Sequence, residues 1–303
     1  MRMKFVFVVL SGILSLYFVA CTSSSVPKPK TGLPLVLVGL SPYNTFVQEI
    51  AGDTVAVAVA VPPNYNAHVF EPTPQHLAHF HEAVIWFGIG EPFESLLLKA
   101  LKQYNPELVT VDLSHNLPLH HESTACLAPH SHTTFSQDET VDRHFWTSPH
   151  IAQMQAEVIA ETLIRAFPEN AALYKKNLEN LTKKFEALDN TLRHTLAPFK
   201  GNSIIISHPS LGYFCADYDL IQIALECEGK TPLPANLAGV FAIAKSNKPL
   251  CVFTLEQFDN KGALLIAKEL QIPSYPINPN LPNYFENFTN IASQIAGTPH
   301  ESP

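Results

Sequence analysis

The segment Pro168 to Thr195, PENAALYKKNLENLTKKFEALDNTLRHT, carries the longest helical pattern in the sequence. It opens with a proline, which a first helical turn tolerates, and it ends before Pro198, so it predicts one continuous helix. At ~1.5 Å per residue it makes a rod of roughly 40 Å, long enough to run along two lobes. The alternative is a crossover helix within one large domain. Its apolar residues at three- and four-residue steps predict a buried stripe: Leu173, Leu178, Leu181, Phe185, Leu188 and Leu192.

Short apolar runs alternate with amphipathic ones on both sides of this segment, which is typical of a mostly parallel sheet covered by helices. The strands are predicted at Leu35 to Leu40, Val55 to Val61, Val84 to Phe87, Leu108 to Asp112, Ser203 to Ser207, Leu250 to Leu255 and Ser274 to Ile277. The helices are predicted at Tyr43 to Ala51, Thr73 to Phe80, Phe93 to Gln103, Ser148 to Ala166, Asn236 to Ser246 and Lys261 to Glu269. We therefore expect an α/β protein of two lobes, 33–167 and 198–298, each a mostly parallel sheet flanked by helices, bridged by one long rigid helix, 168–197.

The N-terminus predicts export. Arg2 and Lys4 precede apolar runs that end at Cys21, and these runs are short for a comfortable membrane-spanning helix. The segment resembles a bacterial lipoprotein signal, with residues 1–20 removed, a lipid on Cys21 and a polar tether over 21–32. An uncleaved signal anchor is the alternative. Both interpretations place residues 33 onward outside the cytoplasm.

Composition excludes nucleic acid as a partner. The formal net charge is -8, and no basic stretch could follow a phosphate backbone. Beyond Cys21 there are four cysteines, with no C-x-x-C pair and no spacing that implies a disulfide framework. We assign no pairing to Cys126, Cys215, Cys227 or Cys251, and we expect Cys251, in an apolar run, to be a buried small residue.

Three histidines stand in three separately built segments: His68 in PPNYNAHVFEPTP, His144 in VDRHFWTSPH and His208 in IIISHPSLGYF. Each follows a strand-like or turn-like run. A fold that brought the three loops together would surround one metal ion with imidazoles, a shell that suits Zn²⁺. The sequence therefore predicts a metal binder.

Several motifs together carry a family resemblance. They are the N-terminal cysteine box, NAHVFEPTPQHL, DRHFWTSP, the long helix, SHPSLGYFCADYDL, KPLCVFTLEQFDNKGALLIAKELQIP and INPNLPNYFENF. The chain resembles the TroA-like metal-binding lipoproteins that serve as solute-binding components of bacterial zinc and manganese ABC importers. The resemblance implies a monomer anchored at the membrane by its lipid, a metal held between the lobes by His68, His144 and His208, and an ABC permease as partner.

The fourth ligand position departs from that family. Where relatives carry an aspartate this chain has Asn278, whose neutral carbonyl is a weak ligand for zinc and lacks the charge that suits harder ions such as Mn²⁺. We therefore expect Zn²⁺ as the bound substrate rather than Mn²⁺. Glu256 or Glu71 could be the fourth ligand instead.

A second group of histidines lies in the aperiodic segment 115–132, which predicts a loop. It could collect zinc weakly near the cleft, or it could be a surface insertion without a metal role. Its histidines are His115, His120, His121, His130 and His132. Other histidines, at positions 76, 79 and 81, are expected to face solvent, and Trp146, Tyr213 and Phe214 are expected to shape the cleft by packing.

The sequence does not predict an enzyme. It has no H-E-x-x-H helix, no G-x-S-x-G elbow and no glycine-rich phosphate loop. The alternatives are a manganese- or iron-binding member of the same family, a zinc-dependent hydrolase that activates water at an open position, and an adhesin that uses metal to hold its shape.

Overall fold

The computed structural model describes residues 32–118, 141–225, 241–242 and 245–297. Its strands are β1 (Leu35–Val38), β2 (Ala56–Val59), β3 (Ala83–Gly88), β4 (Val109–Asp112), β5 (Ser203–Ile206), β6 (Ile221–Ala224), β7 (Val252–Leu255) and β8 (Ser274–Ile277). Its helices are α1 (Ser41–Ala51), α2 (Pro74–Phe80), α3 (Pro92–Tyr104), α4 (Pro149–Ala166), α5 (Ala171–Leu196), α6 (Gly212–Asp217), α7 (Lys261–Leu270) and α8 (Tyr284–Ile295).

The strands form two four-stranded sheets of the same design. Their orders are β2-β1-β3-β4 and β6-β5-β7-β8, and every pairing is parallel. The central strands β1 and β5 are buried along their whole length because helices cover both faces of each sheet. The predicted α/β fold of two parallel sheets joined by a long helix is confirmed.

Three elements were not predicted from the sequence. The strand β6 is a short edge strand within the apolar run at 220–225, LIQIAL, for which no strand was predicted. The helices α6 and α8 follow the SHPSLG and INPNLPN segments, whose turn residues dominate the local pattern. Conversely, most of the helix predicted at Asn236 to Ser246 lies outside the described residues.

The long helix α5 spans 26 residues and is extended by a 3₁₀ turn at each end, Pro168–Asn170 and Ala197–Phe199. Its buried stripe consists of Tyr174, Leu181, Phe185, Leu188, Leu192 and Leu196. The expectation for Leu173 was wrong, since 41% of its surface is exposed. Tyr174 is buried instead, because position 174 lies two helical turns before Leu181 and so on the same face of the helix. The Tyr174 hydroxyl lies 2.7 Å from Thr54 Oγ1.

An aromatic cluster joins the two halves of the chain through α5. Phe46 of α1, Phe185 of α5 and Tyr284 of α8 pack edge to face, with ring centroids 5.0 to 5.8 Å apart. The Tyr284 hydroxyl also donates a hydrogen bond of 2.7 Å to the carbonyl of Trp146. The first and second halves therefore share one apolar core around the helix.

Several sequence-based expectations concern the termini and the cysteines. Within the described residues, no helix is both long enough and apolar enough to cross a membrane. The predicted signal segment and Cys21 lie outside the described residues, as do Cys126 and Cys227. Cys215 and Cys251 are buried free thiols, as expected for Cys251.

Candidate metal centre

The carboxyl ends of the parallel strands meet at one cavity. His68 lies in the connection after β2, Glu91 follows β3, His208 follows β5 and Gln257 follows β7, and all four line this cavity. Loops at the carboxyl edge of a parallel sheet are where open α/β folds bind ligands. Because the two sheets have the same order, each contributes the same edge to the site.

The structure brings His68, His144 and His208 together. One ring nitrogen from each lies within 4.8 Å of the others, and the ring centroids are 5.0 to 5.4 Å apart. The Nε2 atoms of His68 and His208 are 3.1 Å apart. Two nitrogens on a tetrahedral zinc, each at about 2.0 to 2.1 Å, would be about 3.4 Å apart. The His68–His208 pair therefore has nearly the spacing of two ligands on one zinc ion, and the nitrogen of His144 lies within 4.8 Å of both.

His68 is oriented by its own loop and by Glu91. It lies in the 3₁₀ turn Ala67–Val69, where the Asn66 side chain accepts a hydrogen bond of 2.9 Å from the His68 N–H. Its Nδ1 lies 3.0 Å from Glu91 Oε2. Burial would raise the pKa of Glu91, but the hydrogen bond and charge of His68, with the charges of His144 and Arg143, outweigh it and lower that pKa. An ionised Glu91 can only accept, so Nδ1 donates and Nε2 keeps its lone pair for a metal.

His144 is fixed by Asp142 in a similar way. Asp142 Oδ1 accepts from the His144 backbone N–H at 2.9 Å and lies 2.8 Å from His144 Nδ1. The second half of the chain holds this pair, since the Tyr213 hydroxyl donates to the Asp142 carbonyl at 2.9 Å. Gly212 is required beside it because a Cβ there would collide with Asp142 Oδ2. His144 therefore also presents Nε2 to the cavity side.

His208 is held by packing. Its ring stacks on Phe258 with centroids 4.1 Å apart and an interplanar angle of 10°. Burial lowers the pKa of His208 well below the ordinary value, and the neighbouring His144 and His68 lower it further. The neutral ring is the form that binds metal.

The loop that carries Glu91 rests on a second buried carboxyl group. Glu94 accepts hydrogen bonds from the backbone N–H groups of Ile89 at 2.9 Å and Gly90 at 3.1 Å. Gly88 allows this close approach, since a Cβ there would collide with Glu94. Burial raises the pKa of Glu94 to about 7 in spite of these bonds. Glu94 therefore fixes the turn from which Glu91 reaches His68.

The cavity is small. The space in which the centre of a water molecule can move inside it is about 20 Å³. Besides the histidines and Glu91 its wall includes Leu40, Tyr65, Trp146, Ser210, Gln257, Phe258 and Asn280. A space of this size suits an ion with at most one bound water molecule and not an organic substrate.

The three proposed fourth ligands lie elsewhere. Asn278 Nδ2 donates to the Pro63 carbonyl at 2.9 Å, and its Oδ1 accepts from the Asn280 N–H at 2.9 Å. Glu256 and Glu71 are exposed. Among the described residues, the histidine, cysteine and carboxylate cluster of metal-binding size contains neither glutamate, and the identity of the fourth ligand stays a prediction.

The remaining sequence-based candidates divide by position. His115 is exposed, and His120, His121, His130 and His132 lie outside the described residues, so the accessory zinc loop stays a prediction. Trp146, Tyr213 and Phe214 are buried, as expected of packing residues. Sequence reasoning missed Glu91 and Asp142. Asp142 stands two residues before His144 in the VDRH motif, and Glu91 follows a predicted strand, so both carried a positional signal.

Fold and site together define a class of protein, the two-lobed α/β binding proteins whose sheets present their carboxyl edges to one shared cleft. A family model described as the zinc-uptake complex component A, periplasmic (ZnuA), matches residues 36–298. The chain belongs to this ZnuA family. The family consists of extracytoplasmic solute-binding proteins of metal transport and not of enzymes.

Solved structures and curated relatives agree with that assignment. A crystal structure of ZnuA is 31% identical with a TM-score of 0.79, covering 88% of this chain and 99% of that one. A ZnuA deletion mutant with zinc bound is 31% identical with a TM-score of 0.77, covering 89% and 100%. The high-affinity zinc uptake system protein ZnuA of Bacillus subtilis is 25% identical over 246 residues, covering 80% of this chain and 77% of the relative.

Proposed function

We propose that this protein captures Zn²⁺ as its cargo through His68, His144 and His208 and delivers it to the permease of an ABC importer. The observation that carries the proposal is the convergence of three imidazoles, two of which have their Nδ1 atoms held by carboxylates. A histidine ligand with its other nitrogen bonded to a carboxylate is the arrangement typical of zinc proteins.

The chemistry of the site favours zinc over manganese. Imidazole nitrogen is a good ligand for Zn²⁺, whereas Mn²⁺ prefers carboxylate oxygen. Here the two carboxylates of the site bind histidine Nδ1 atoms, and Asn278 stands where the resembled family carries an aspartate. Glu91 and Asp142 balance the charge of a divalent ion while leaving its contacts to nitrogen.

The ion is proposed as cargo because two of the histidines are buried while the third is partly exposed to solvent. His144 and His208 are buried, whereas the side chain of His68 is 28% exposed. His68 sits on a short 3₁₀ turn beside exposed Tyr65 and Val69, so a modest movement of this loop would open the shell to solvent. A capture protein needs such an exit.

The proposed setting is the outer face of the cell membrane. The signal segment 1–20 would be removed and Cys21 would carry the lipid, with 21–32 as a tether to a monomeric two-lobed body. ATP would be hydrolysed on a separate subunit, because the sequence contains no glycine-rich phosphate loop.

The test is a calorimetric zinc titration of metal-free protein and of the variants His68→Ala, His144→Ala and His208→Ala. The native protein should bind one equivalent of zinc tightly. Each variant loses a direct bond to the metal, and its zinc affinity should fall by more than about tenfold, since even the loss of a residue that only hydrogen-bonds to a metal ligand costs about tenfold or more.

The matched control is His194→Ala, which removes an exposed imidazole from α5. It should bind zinc like the native protein, and circular dichroism should show the same helix content in all variants. Unchanged affinity in His144→Ala would remove that residue from the shell.

A further inference from the structure

Two buried oxygen atoms at the cavity stand out. Ser210 Oγ and Gln257 Oε1 are buried side-chain atoms that have no hydrogen-bond partner within the part of the chain that the structure describes. Both residues line the cavity beside the histidine trio. A buried polar atom without a partner is unfavourable, so a pair of them at one cavity indicates a ligand that both contact.

The orientation of the Gln257 amide follows from Pro63. The Pro63 carbonyl accepts hydrogen bonds from Gln257 Nε2 at 2.5 Å and from Asn278 Nδ2 at 2.9 Å. A carbonyl can only accept, so the NH₂ group of Gln257 must face it. The oxygen of the same amide is then left for the cavity that Gln257 lines.

Ser210 is held by the segment that carries His208. Only 1% of its surface is exposed, and its backbone N–H donates to the His208 carbonyl at 2.7 Å. Its hydroxyl can donate one hydrogen bond and accept two. Ser210 and Gln257 therefore offer a neutral hydroxyl and a neutral carbonyl oxygen to the same small space.

We propose that Ser210 and Gln257 hold a water molecule as the fourth ligand of the bound metal, an inference that rests on the proposed function. Zinc with three histidines leaves one tetrahedral position, which water commonly fills. The water would donate to Gln257 Oε1 and exchange a hydrogen bond with Ser210 Oγ. A water molecule needs roughly 10 to 15 Å³ of such space, which the cavity has. In this arrangement Asn278 serves as an anchor for Pro63, five residues before His68, and not as a ligand.

The decisive variant is Ser210→Ala. Removing an unsatisfied hydroxyl should leave the thermal stability of the metal-free protein unchanged or raise it. Zinc affinity should nevertheless fall roughly tenfold, as for other outer contacts to a metal shell. In the cobalt-substituted protein the visible absorption bands, which report coordination number, should change in position or intensity.

Gln257→Met and Asn278→Ala form a matched pair. Each removes one donor to Pro63, but only Gln257→Met also removes an oxygen from the cavity. The cobalt spectrum should change in Gln257→Met in the same sense as in Ser210→Ala, and it should stay native in Asn278→Ala.

Two results would overturn the inference. One is a Ser210→Ala protein with native zinc affinity and a native cobalt spectrum. The other is an Asn278→Ala spectrum that matches Gln257→Met, which would assign the effect to the Pro63 anchor. Failure of the native protein to bind zinc at all would instead contradict the proposed function, so the two failures are distinguishable.

Discussion

The metal site has two chemically different sides, one before α5 in the chain and one after it. On the first side His68 and His144 each have Nδ1 against a carboxylate, Glu91 at 3.0 Å and Asp142 at 2.8 Å. On the second side His208 stacks on the ring of Phe258, and the cavity wall carries the neutral oxygens of Ser210 and Gln257.

The two sides differ in what they contribute to metal binding: the first side supplies negative charge and orients its histidines, and the second side keeps its histidine neutral. In the proposed site, Glu91 and Asp142 orient the lone pairs of His68 and His144 and would balance the charge of a bound ion. The second side keeps the imidazole of His208 neutral, because burial lowers its pKa. Such a site would hold a divalent cation through imidazole nitrogens, with the balancing carboxylates bound to the histidines and not to the metal.

The largest expected effect of this asymmetry is on the pH dependence of binding. Each imidazole must be neutral to bind zinc, and the ordinary histidine pKa is about 6.5. As pH falls, protons bind the metal-free site and compete with zinc. We expect affinity to fall by about a hundredfold or more between pH 7 and pH 5.

The number of protons exchanged per zinc ion bound also depends on the difference between the two sides of the site. Because burial lowers the pKa of His208 well below the ordinary value, His208 should take up less than one proton in this range, and fewer than three protons should be exchanged per zinc. Calorimetry in buffers of different ionisation enthalpy measures that number. An affinity that is flat from pH 7 to pH 5 would mean that imidazoles do not dominate the shell.

The next largest effect is expected on the carboxylate-backed side. Asp142→Asn keeps the size of the side chain but removes its charge, so His144 becomes a weaker and less firmly oriented ligand. Zinc affinity should fall by roughly 10- to 100-fold. Glu91→Gln should have an effect of similar size, because Glu91 is 1% exposed and holds His68 Nδ1 in the same way. Competition with a zinc indicator dye measures both, and equal native affinity in Asp142→Asn would show that the carboxylate does not support the ligand.

A smaller effect is expected on the stacked side. Phe258→Leu keeps an apolar side chain but removes the flat ring that lies 4.1 Å from His208. The orientation of His208 should loosen while its burial is largely kept, and zinc affinity should fall only a few-fold, in line with a stacking contact of about 0.5 to 1.5 kcal/mol. A loss larger than that of Asp142→Asn would reverse the ranking of the two sides.

The sequence predicted the fold because its strongest signals are local. The predicted strands carry short apolar runs and the long helix carries a periodic apolar stripe, which the structure keeps except that Leu178 is only partly buried and that Tyr174, not Leu173, is buried in the first turn of α5. The edge strand β6 lies in a short apolar run, LIQIAL at 220–225, and such a run does not by itself distinguish a strand from part of a helix.

The site was predictable only in part, for a geometric reason. The three histidines stand in distinctive motifs next to predicted strand ends, and the structure brings them together. The contact between His68 and Glu91 joins residues from different loops, and its existence depends on strand order, which a single sequence does not state. The same holds for Asn278, whose amide contacts Pro63 from across the cleft.

X-ray absorption spectroscopy at the zinc edge, on protein loaded with one equivalent of zinc, measures the proposed shell itself. We expect three imidazole nitrogens at about 2.0 to 2.1 Å and a single oxygen completing a four-coordinate shell. The histidine scattering should drop from three rings to two in His144→Ala. A native shell with fewer than three imidazoles, or one that contains sulfur, would contradict it.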